Sequence, residues 1–286
     1  MWNNAKITCL VPSASIPGLP RVCAVSYLNT IPLVWGMLHG SAADGRDVFD
    51  LSFALPSECA DRLASGEADI GIVPVIEMAR QKLDYFQGTG IASRGPVRSI
   101  LLVSKVPFRE IRTLATDSGS RTSVMLARVI LAENYGVEPR TFSRHADLAP
   151  MLGEADAALL IGDAALRVDP ATLPFETLDL GEAWTRTTGL PMVFAVWAGA
   201  KGLVAGENHQ RYSDAFSASC RYGLARMEEI VARESATRAF PEELVRRYLT
   251  RHIVFELGPR DYKGMELYLK HAGALDRRPV PGGVSA

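Results

Sequence analysis

Cysteine is scarce in this sequence, and the few cysteines that occur are not grouped. Four are spread over 286 residues, at Cys9, Cys23, Cys59 and Cys220. There is no C-x-x-C pair and no Cys/His cluster with the spacing of a metal site. Scattered thiols are typical of a chain in a reducing compartment, where a buried cysteine behaves as a small apolar residue. We therefore expect neither a disulfide framework nor a bound metal.

An excess of charge and a long apolar run are also missing. Lys and Arg number 31 against 32 Asp and Glu, so the net charge is −1. Without a basic stripe, nucleic acid and anionic membranes are not the expected partners. No run approaches the roughly 18 apolar residues of a membrane span, and Pro12 ends the apolar patch 7–11 before a signal peptide develops. We expect a cytoplasmic protein with a small-molecule partner, and both a monomer and a homodimer stay open.

The chain does have the length for two domains and an alternating order of strands and helices. Its 48% hydrophobic and 22% charged residues are typical of a soluble globular protein. The alternation predicts α/β layers around mostly parallel strands. Two predicted strands, 97–103 and 190–197, bracket a middle segment that has its own strands and helices. We therefore expect one lobe from 1–97 plus 197–286, a second lobe from 98–196, and a ligand in the cleft between them.

The first candidate site lies where the predicted strand Arg21–Val25 ends. Ser26, Tyr27 and Asn29 follow it and lead into an apolar helix with a proline in its first turn, where proline is tolerated. Polar side chains between the carboxyl end of a strand and a helix N-terminus are suited to binding a small molecule. The same pattern equally fits an ordinary strand–helix connection in which Thr30 caps the helix.

A second candidate site is the polar segment 117–123, which opens a long predicted helix. Ser120, Arg121, Thr122 and Ser123 bring hydroxyls and one guanidinium to the free N–H groups of a helix N-terminus. Arg121 is able to hold a carboxylate bidentately. No Gly-Lys-Ser/Thr follows, so this is not a phosphate P-loop. The segment predicts an anion site, although a single hydroxyl would serve as an ordinary helix cap.

Two further candidate site residues, Ser99 and Asp163, are not part of a polar cluster. Successive side chains of a strand point to opposite faces, so Arg98 and Ser99 lie on different faces of the predicted strand. If Ser99 faces the cleft, we expect Arg98 to form a structural ion pair. Asp163 follows a predicted strand, 156–161, at a place where its carboxylate would face a cleft. The alternative for Asp163 is a helix cap. The five histidines lie outside these segments, and we expect them to be structural or solvated.

A series of short motifs occurs in the order found in a known family. They lie at residues 25–33, 55–57, 69–75, 95–99, 117–123, 160–163, 179–181 and 188–191. With these motifs, most of the chain resembles the chorismate dehydratases of the futalosine route to menaquinone. The resemblance implies the two-lobed fold of type 2 periplasmic solute-binding proteins. It also implies elimination of water from chorismate to give 3-[(1-carboxyvinyl)oxy]benzoate, without metal or organic cofactor.

The same resemblance distinguishes between two related reactions. A sister enzyme with this fold, 1,4-dihydroxy-6-naphthoate synthase, acts later on cyclic dehypoxanthine futalosine. It typically carries a catalytic histidine at the position that aligns with Gly162 and differs from this chain at Leu28 and Thr30. These differences favour the dehydratase. A solute-binding protein that captures a carboxylate and does no chemistry stays a rival, because one fold serves both purposes.

Roles for individual residues follow as expectations from the resemblance. Ser57 and Gly95 lie in shared motifs and join the expected substrate-binding residues. We expect Asn29 and Ser99 to orient the substrate and stabilise developing charge. The ring proton would leave to Asp163 or to the substrate's own enolpyruvyl carboxylate, held beside the ring.

Overall fold

Two separate β-sheets organise the part of the chain that the computed structural model describes, residues 18–277. The apolar patch 7–11 and Cys9, which entered the predictions of location and redox state, lie outside the described residues. Within 18–277, no helix combines the length and the apolar character needed to cross a membrane.

The larger sheet has six strands. They are β1 (Arg21–Val25), β2 (Asp50–Ala54), β3 (Ile70–Pro74), β4 (Asp84–Ser93), β10 (Met192–Gly199) and β11 (Val254–Glu256). Their order in space is β11-β4-β10-β3-β1-β2. β1 runs parallel to both β2 and β3, whereas β10 runs antiparallel to β3 and β4. Because β3 lies between β10 and β1 inside the sheet, it is buried along its whole length, and its sequence is an uninterrupted apolar run.

The smaller sheet has five strands. They are β5 (Ile100–Ser104), β6 (Thr113–Asp117), β7 (Arg140–Arg144), β8 (Ala157–Ile161) and β9 (Glu176–Asp179). Their order is β7-β6-β8-β5-β9. β6 is parallel to β7 and β8, and β5 is antiparallel to β8 and β9. The carboxyl ends of β6 and β8 therefore lie at the same edge.

The chain passes from the larger sheet to the smaller one between β4 and β5 and returns between β9 and β10. The predicted crossing strand 190–197 corresponds to β10, which pairs with β3 and β4. Residues 192–196, which we assigned to the second lobe, thus belong to the larger sheet. An apolar run shows that a strand is buried but does not show which sheet it joins. The division of the chain into lobes stays a prediction.

Helices of the described chain pack against both sheets. They are α1 (Ile31–His39), α2 (Pro56–Ser65), α3 (Ile76–Arg80), α4 (Thr122–Ile130), α5 (Leu148–Glu154), α6 (Gly162–Arg167), α7 (Leu180–Thr188), α8 (Lys201–Val204), α9 (His209–Leu224), α10 (Met227–Arg238), α11 (Glu242–Arg247) and α12 (Pro259–Asp276). α4 and α11 each continue into a π-helical turn, Leu131–Tyr135 and Tyr248–His252. Such turns are rare and frequently lie at functional sites.

Close packing of α9 on α1 fixes the helix that follows the first candidate site. A Cβ atom at Gly223 of α9 would lie 2.2 Å from the carbonyl oxygen of Pro32 in α1. Only glycine allows the two backbones to approach this closely. The start of α1 is therefore held against α9, next to the polar turn that precedes α1.

Candidate active site

A cavity of about 550 Å³, partly open to solvent, lies between the two sheets. Val25 and Pro74 reach it from the carboxyl ends of β1 and β3, and Ile161 reaches it from the carboxyl end of β8. Ligand binding at the carboxyl ends of parallel strands is general for α/β sheets.

Most of the predicted site residues meet at this cavity. Its lining includes Tyr27, Asn29, Ser99, Ser120, Arg121, Thr122 and Ser123. The remaining candidates, Ser26, Ser57, Gly95 and Asp163, are not among the lining residues. The first and second candidate sites, which are far apart in sequence, thus form one site.

Ser26 and Ser57 do not line the cavity, although we expected both to contact the substrate. The Ser26 N–H donates to the carbonyl oxygen of Ala54 at 2.9 Å and so extends the pairing of β1 with β2. Ser57 lies in the first turn of α2, where the Glu58 carboxylate accepts the N–H of Leu55 at 3.1 Å.

Gly95 and Thr30 also differ from the expectations. Gly95 has φ +147°, a conformation that favours glycine, so its position reflects a backbone requirement. Thr30 is fully buried, but no side chain caps α1 and the Thr30 hydroxyl has no hydrogen-bond partner among the described residues. Thr30 does occupy the N-cap position of α1, as one interpretation of this turn expected, but its hydroxyl forms no capping hydrogen bond. The same turn also brings Tyr27 and Asn29 to the cavity.

Asp163 is neither a helix cap nor a cavity residue. It is the second residue of α6, and its Oδ1 accepts the N–H of Leu28 at 3.1 Å. Its other oxygen is bound by the guanidinium of Arg238, which also donates to Glu234 at 2.8 Å and to the carbonyl oxygen of Ser26 at 3.2 Å. The expectation that this carboxylate faces the cleft is not met, because it already has two donors.

The Arg238–Asp163 pair has a positional consequence for the site. Arg238 binds the backbone just before Tyr27, and Asp163 binds the backbone just after it. This buried pair therefore holds the turn that carries Tyr27 and Asn29 into the cavity. Sequence reasoning missed Arg238 because it belongs to no motif and lies near the end of an ordinary helix.

Tyr27 lines the cavity and packs closely against two glycines, Gly119 and Gly162. A Cβ atom at Gly162, where φ is +54°, would lie 2.7 Å from the Tyr27 ring, and one at Gly119 would lie 3.2 Å from the Tyr27 hydroxyl. Any side chain at position 162 would therefore collide with this ring. Burial raises the pKa of Tyr27, and the negative charges of Asp117 and Asp163 raise it further. The phenol therefore stays protonated at neutral pH.

Arg121 lines the cavity but is already engaged by two carboxylates. Its guanidinium donates to Asp61 of α2 at 2.6 Å and lies 3.4 Å from Glu77 of α3. A substrate carboxylate would have to share it, so Arg121 is a weaker clamp than expected. Beside it, the Ser120 hydroxyl is buried without a partner among the described residues.

Ser99 is buried against a residue that the sequence did not indicate. Its Oγ accepts a hydrogen bond from the hydroxyl of Tyr248 at 2.8 Å. In place of the predicted ion pair, the Arg98 guanidinium donates to the carbonyl oxygens of Ala165 and Val168. Tyr248 begins the π-helical turn after α11, and no motif marks it.

The lining contains few groups that can exchange a proton. Arg121 is its one formally charged side chain, and no Asp, Glu, His, Lys or Cys is among the lining residues. Within residues 18–277, no three His, Cys, Asp or Glu side chains converge in a way that could hold a metal ion. The cavity therefore offers neutral hydrogen-bonding groups and a helix N-terminus, with no side chain of the usual general-base type.

Two sheets joined by two crossings around a central cavity define the periplasmic-binding-protein fold, and comparison with solved structures confirms that prediction. A protein of Archaeoglobus fulgidus is 16% identical with a TM-score of 0.74, over 90% of this chain and 97% of that one. The periplasmic aliphatic sulphonate binding protein SsuA of Escherichia coli is 18% identical with a TM-score of 0.62, over 94% and 90%. At these identities the likeness establishes the fold alone.

Comparison of sequences then establishes the family. The family model described as menaquinone biosynthesis matches residues 20–274, so the chain belongs to that family. The chorismate dehydratase of Thermus thermophilus is 29% identical over 279 residues, which cover 90% of this chain and 94% of the relative. The family resemblance drawn from the motifs is confirmed.

Proposed function

We propose that this protein is a cytoplasmic chorismate dehydratase that forms 3-[(1-carboxyvinyl)oxy]benzoate for menaquinone biosynthesis. The observation that carries the proposal is the meeting of Asn29, Ser99 and the α4 N-terminus at one cavity between the sheets. Membership of the menaquinone biosynthesis family and the likeness to a chorismate dehydratase support it.

The reaction is an elimination that makes the substrate ring aromatic. A proton leaves the ring carbon that carries the enolpyruvyl ether, and hydroxide leaves the adjacent carbon. No electrons are exchanged with another molecule. Because aromatisation makes the reaction strongly downhill, the protein needs only to hold the dianion, place a base and help the hydroxide depart.

We assign the binding of one substrate carboxylate to the start of α4. The first N–H groups of a helix have no partner within the helix, and the helix dipole favours an anion there. Ser120 and Ser123 add hydroxyls that line the cavity, and Arg121 adds positive charge that Asp61 and Glu77 partly neutralise. Neutral donors therefore carry most of this contact.

We assign the base to the substrate's own enolpyruvyl carboxylate. The lining residues supply no carboxylate or imidazole, and the Asp163 carboxylate is bound by Arg238 and the Leu28 N–H. A carboxylate attached beside the reacting carbon has a high effective concentration, which compensates for its modest basicity. Ser99 then donates a hydrogen bond to the departing hydroxyl oxygen.

The first test is incubation of the purified protein with chorismate and no added cofactor. Loss of water is followed by mass spectrometry and by the absorbance of the aromatic product. We expect turnover of chorismate and none of cyclic dehypoxanthine futalosine. Binding of chorismate without any product would instead support the solute-binding alternative.

A second prediction concerns Asp163→Asn. Asparagine keeps an oxygen for the Leu28 N–H, so we expect kcat within a few-fold of wild type and a lower melting temperature from the weakened contact with Arg238. Asp261→Asn is the matched control, because Asp261 is a buried carboxylate paired with Arg94 outside the cavity lining. A loss above about 100-fold in kcat for Asp163→Asn alone, with chorismate binding retained, would restore Asp163 as the base.

A further inference from the structure

Tyr248 forms a buried contact with one of the cavity's polar residues. Its side chain is 1% exposed, and its hydroxyl donates to the Ser99 Oγ at 2.8 Å. Burial raises the pKa of Tyr248, and the contact with Ser99 lowers it to a smaller extent. Tyr248 therefore stays protonated at neutral pH, and its one hydrogen is directed to Ser99.

This arrangement fixes the direction in which Ser99 forms hydrogen bonds. A serine hydroxyl has one hydrogen, and the Tyr248 hydrogen already lies on the Ser99 oxygen. The Ser99 hydrogen therefore cannot point back to Tyr248. Because Ser99 lines the cavity, that hydrogen is available to a bound molecule.

We propose that Tyr248 is a positioning residue that makes Ser99 a hydrogen-bond donor toward the cavity, and so builds a subsite for an accepting oxygen atom. The departing hydroxyl of chorismate occupies this subsite, an assignment that rests on the proposed function. The hydroxyl oxygen accepts from Ser99 as the carbon–oxygen bond breaks.

The test is Tyr248→Phe, which removes the hydroxyl and keeps the ring. We expect kcat to fall by about 10- to 100-fold with KM changed less than about threefold, since the contact acts at the leaving group. Tyr262→Phe is the matched control. Its hydroxyl accepts the Gly88 N–H at 2.7 Å outside the cavity lining, so its kcat should equal that of wild type.

A double-mutant cycle separates positioning from packing. In a Ser99→Ala background, Tyr248→Phe should lower kcat less than it does in the wild-type background, because the hydrogen bond to Ser99 is already absent. Equal losses in the two backgrounds, or an unchanged kcat in the single variant, would overturn the inference while leaving the dehydratase function intact. If wild type binds chorismate without product, the dehydratase function fails, and the assignment of the departing hydroxyl to this subsite fails with it.

Discussion

Asn29→Ala is expected to lower kcat for chorismate dehydration by about 10²- to 10³-fold, the usual loss when one preorganised polar group at the reacting atoms is removed. Asn29 lines the cavity, and its Oδ1 has no hydrogen-bond partner among the described residues, so we assign the polar contact of this side chain to the substrate. The melting temperature should fall little, because truncation removes a buried polar atom that makes no hydrogen bond. Steady-state kinetics and thermal unfolding measure the two effects separately.

Asn134→Ala is the control for this variant. The Asn134 amide donates to the Thr187 hydroxyl at 2.9 Å at an exposed position outside the cavity lining. Its substitution should leave kcat unchanged. Wild-type turnover by Asn29→Ala would contradict the placement of the reaction in this cavity.

Arg238→Met is expected to lower the free energy of unfolding by about 3–5 kcal/mol, the usual effect of leaving a buried charge without its partner. The Arg238, Asp163 and Glu234 side chains are 6%, 15% and 5% exposed, so water cannot replace the lost guanidinium. Methionine keeps most of the length of the side chain. Urea unfolding measures the loss, and kcat should fall too, because the turn that carries Asn29 loses its support.

Arg246→Met is the matched control on the neighbouring helix. Arg246 also pairs with acidic side chains, Glu228 and Glu243, but these are 69% and 80% exposed. Exposed ion pairs contribute little to stability, so this variant should unfold at close to the wild-type urea concentration. Equal unfolding midpoints for the two arginine variants would contradict a supporting role for the Arg238–Asp163 pair.

The parts of the site that form near a strand end could be predicted from the sequence. The segment 26–29 and the segment 120–123 each follow a buried strand and precede a helix, and both reach the cavity, except for Ser26 and Leu28. Such places are recognisable because a strand, a polar turn and a helix leave a local pattern. The fold class was likewise predictable from the order of motifs.

The partners that reach the site from a distance could not be predicted. Arg238 contacts Asp163 and Ser26, which lie 75 and 212 positions away along the chain, and Tyr248 contacts Ser99, which lies 149 positions away. Their own surroundings in the sequence are those of ordinary helices. Asp163 follows a strand as a catalytic carboxylate would, and only its contact with Arg238 reveals the structural role. β10 was misplaced for a related reason, since its apolar sequence suits either sheet.

The central claim is that chorismate loses water in this cavity with its own enolpyruvyl carboxylate as the base. The most direct measurement compares chorismate with an analogue in which that carboxylate is an amide, by following product formation and binding for both. The account predicts conversion of chorismate and binding of the amide without conversion. Conversion of the amide at a rate close to that of chorismate would show that the protein supplies the base, and would contradict the account.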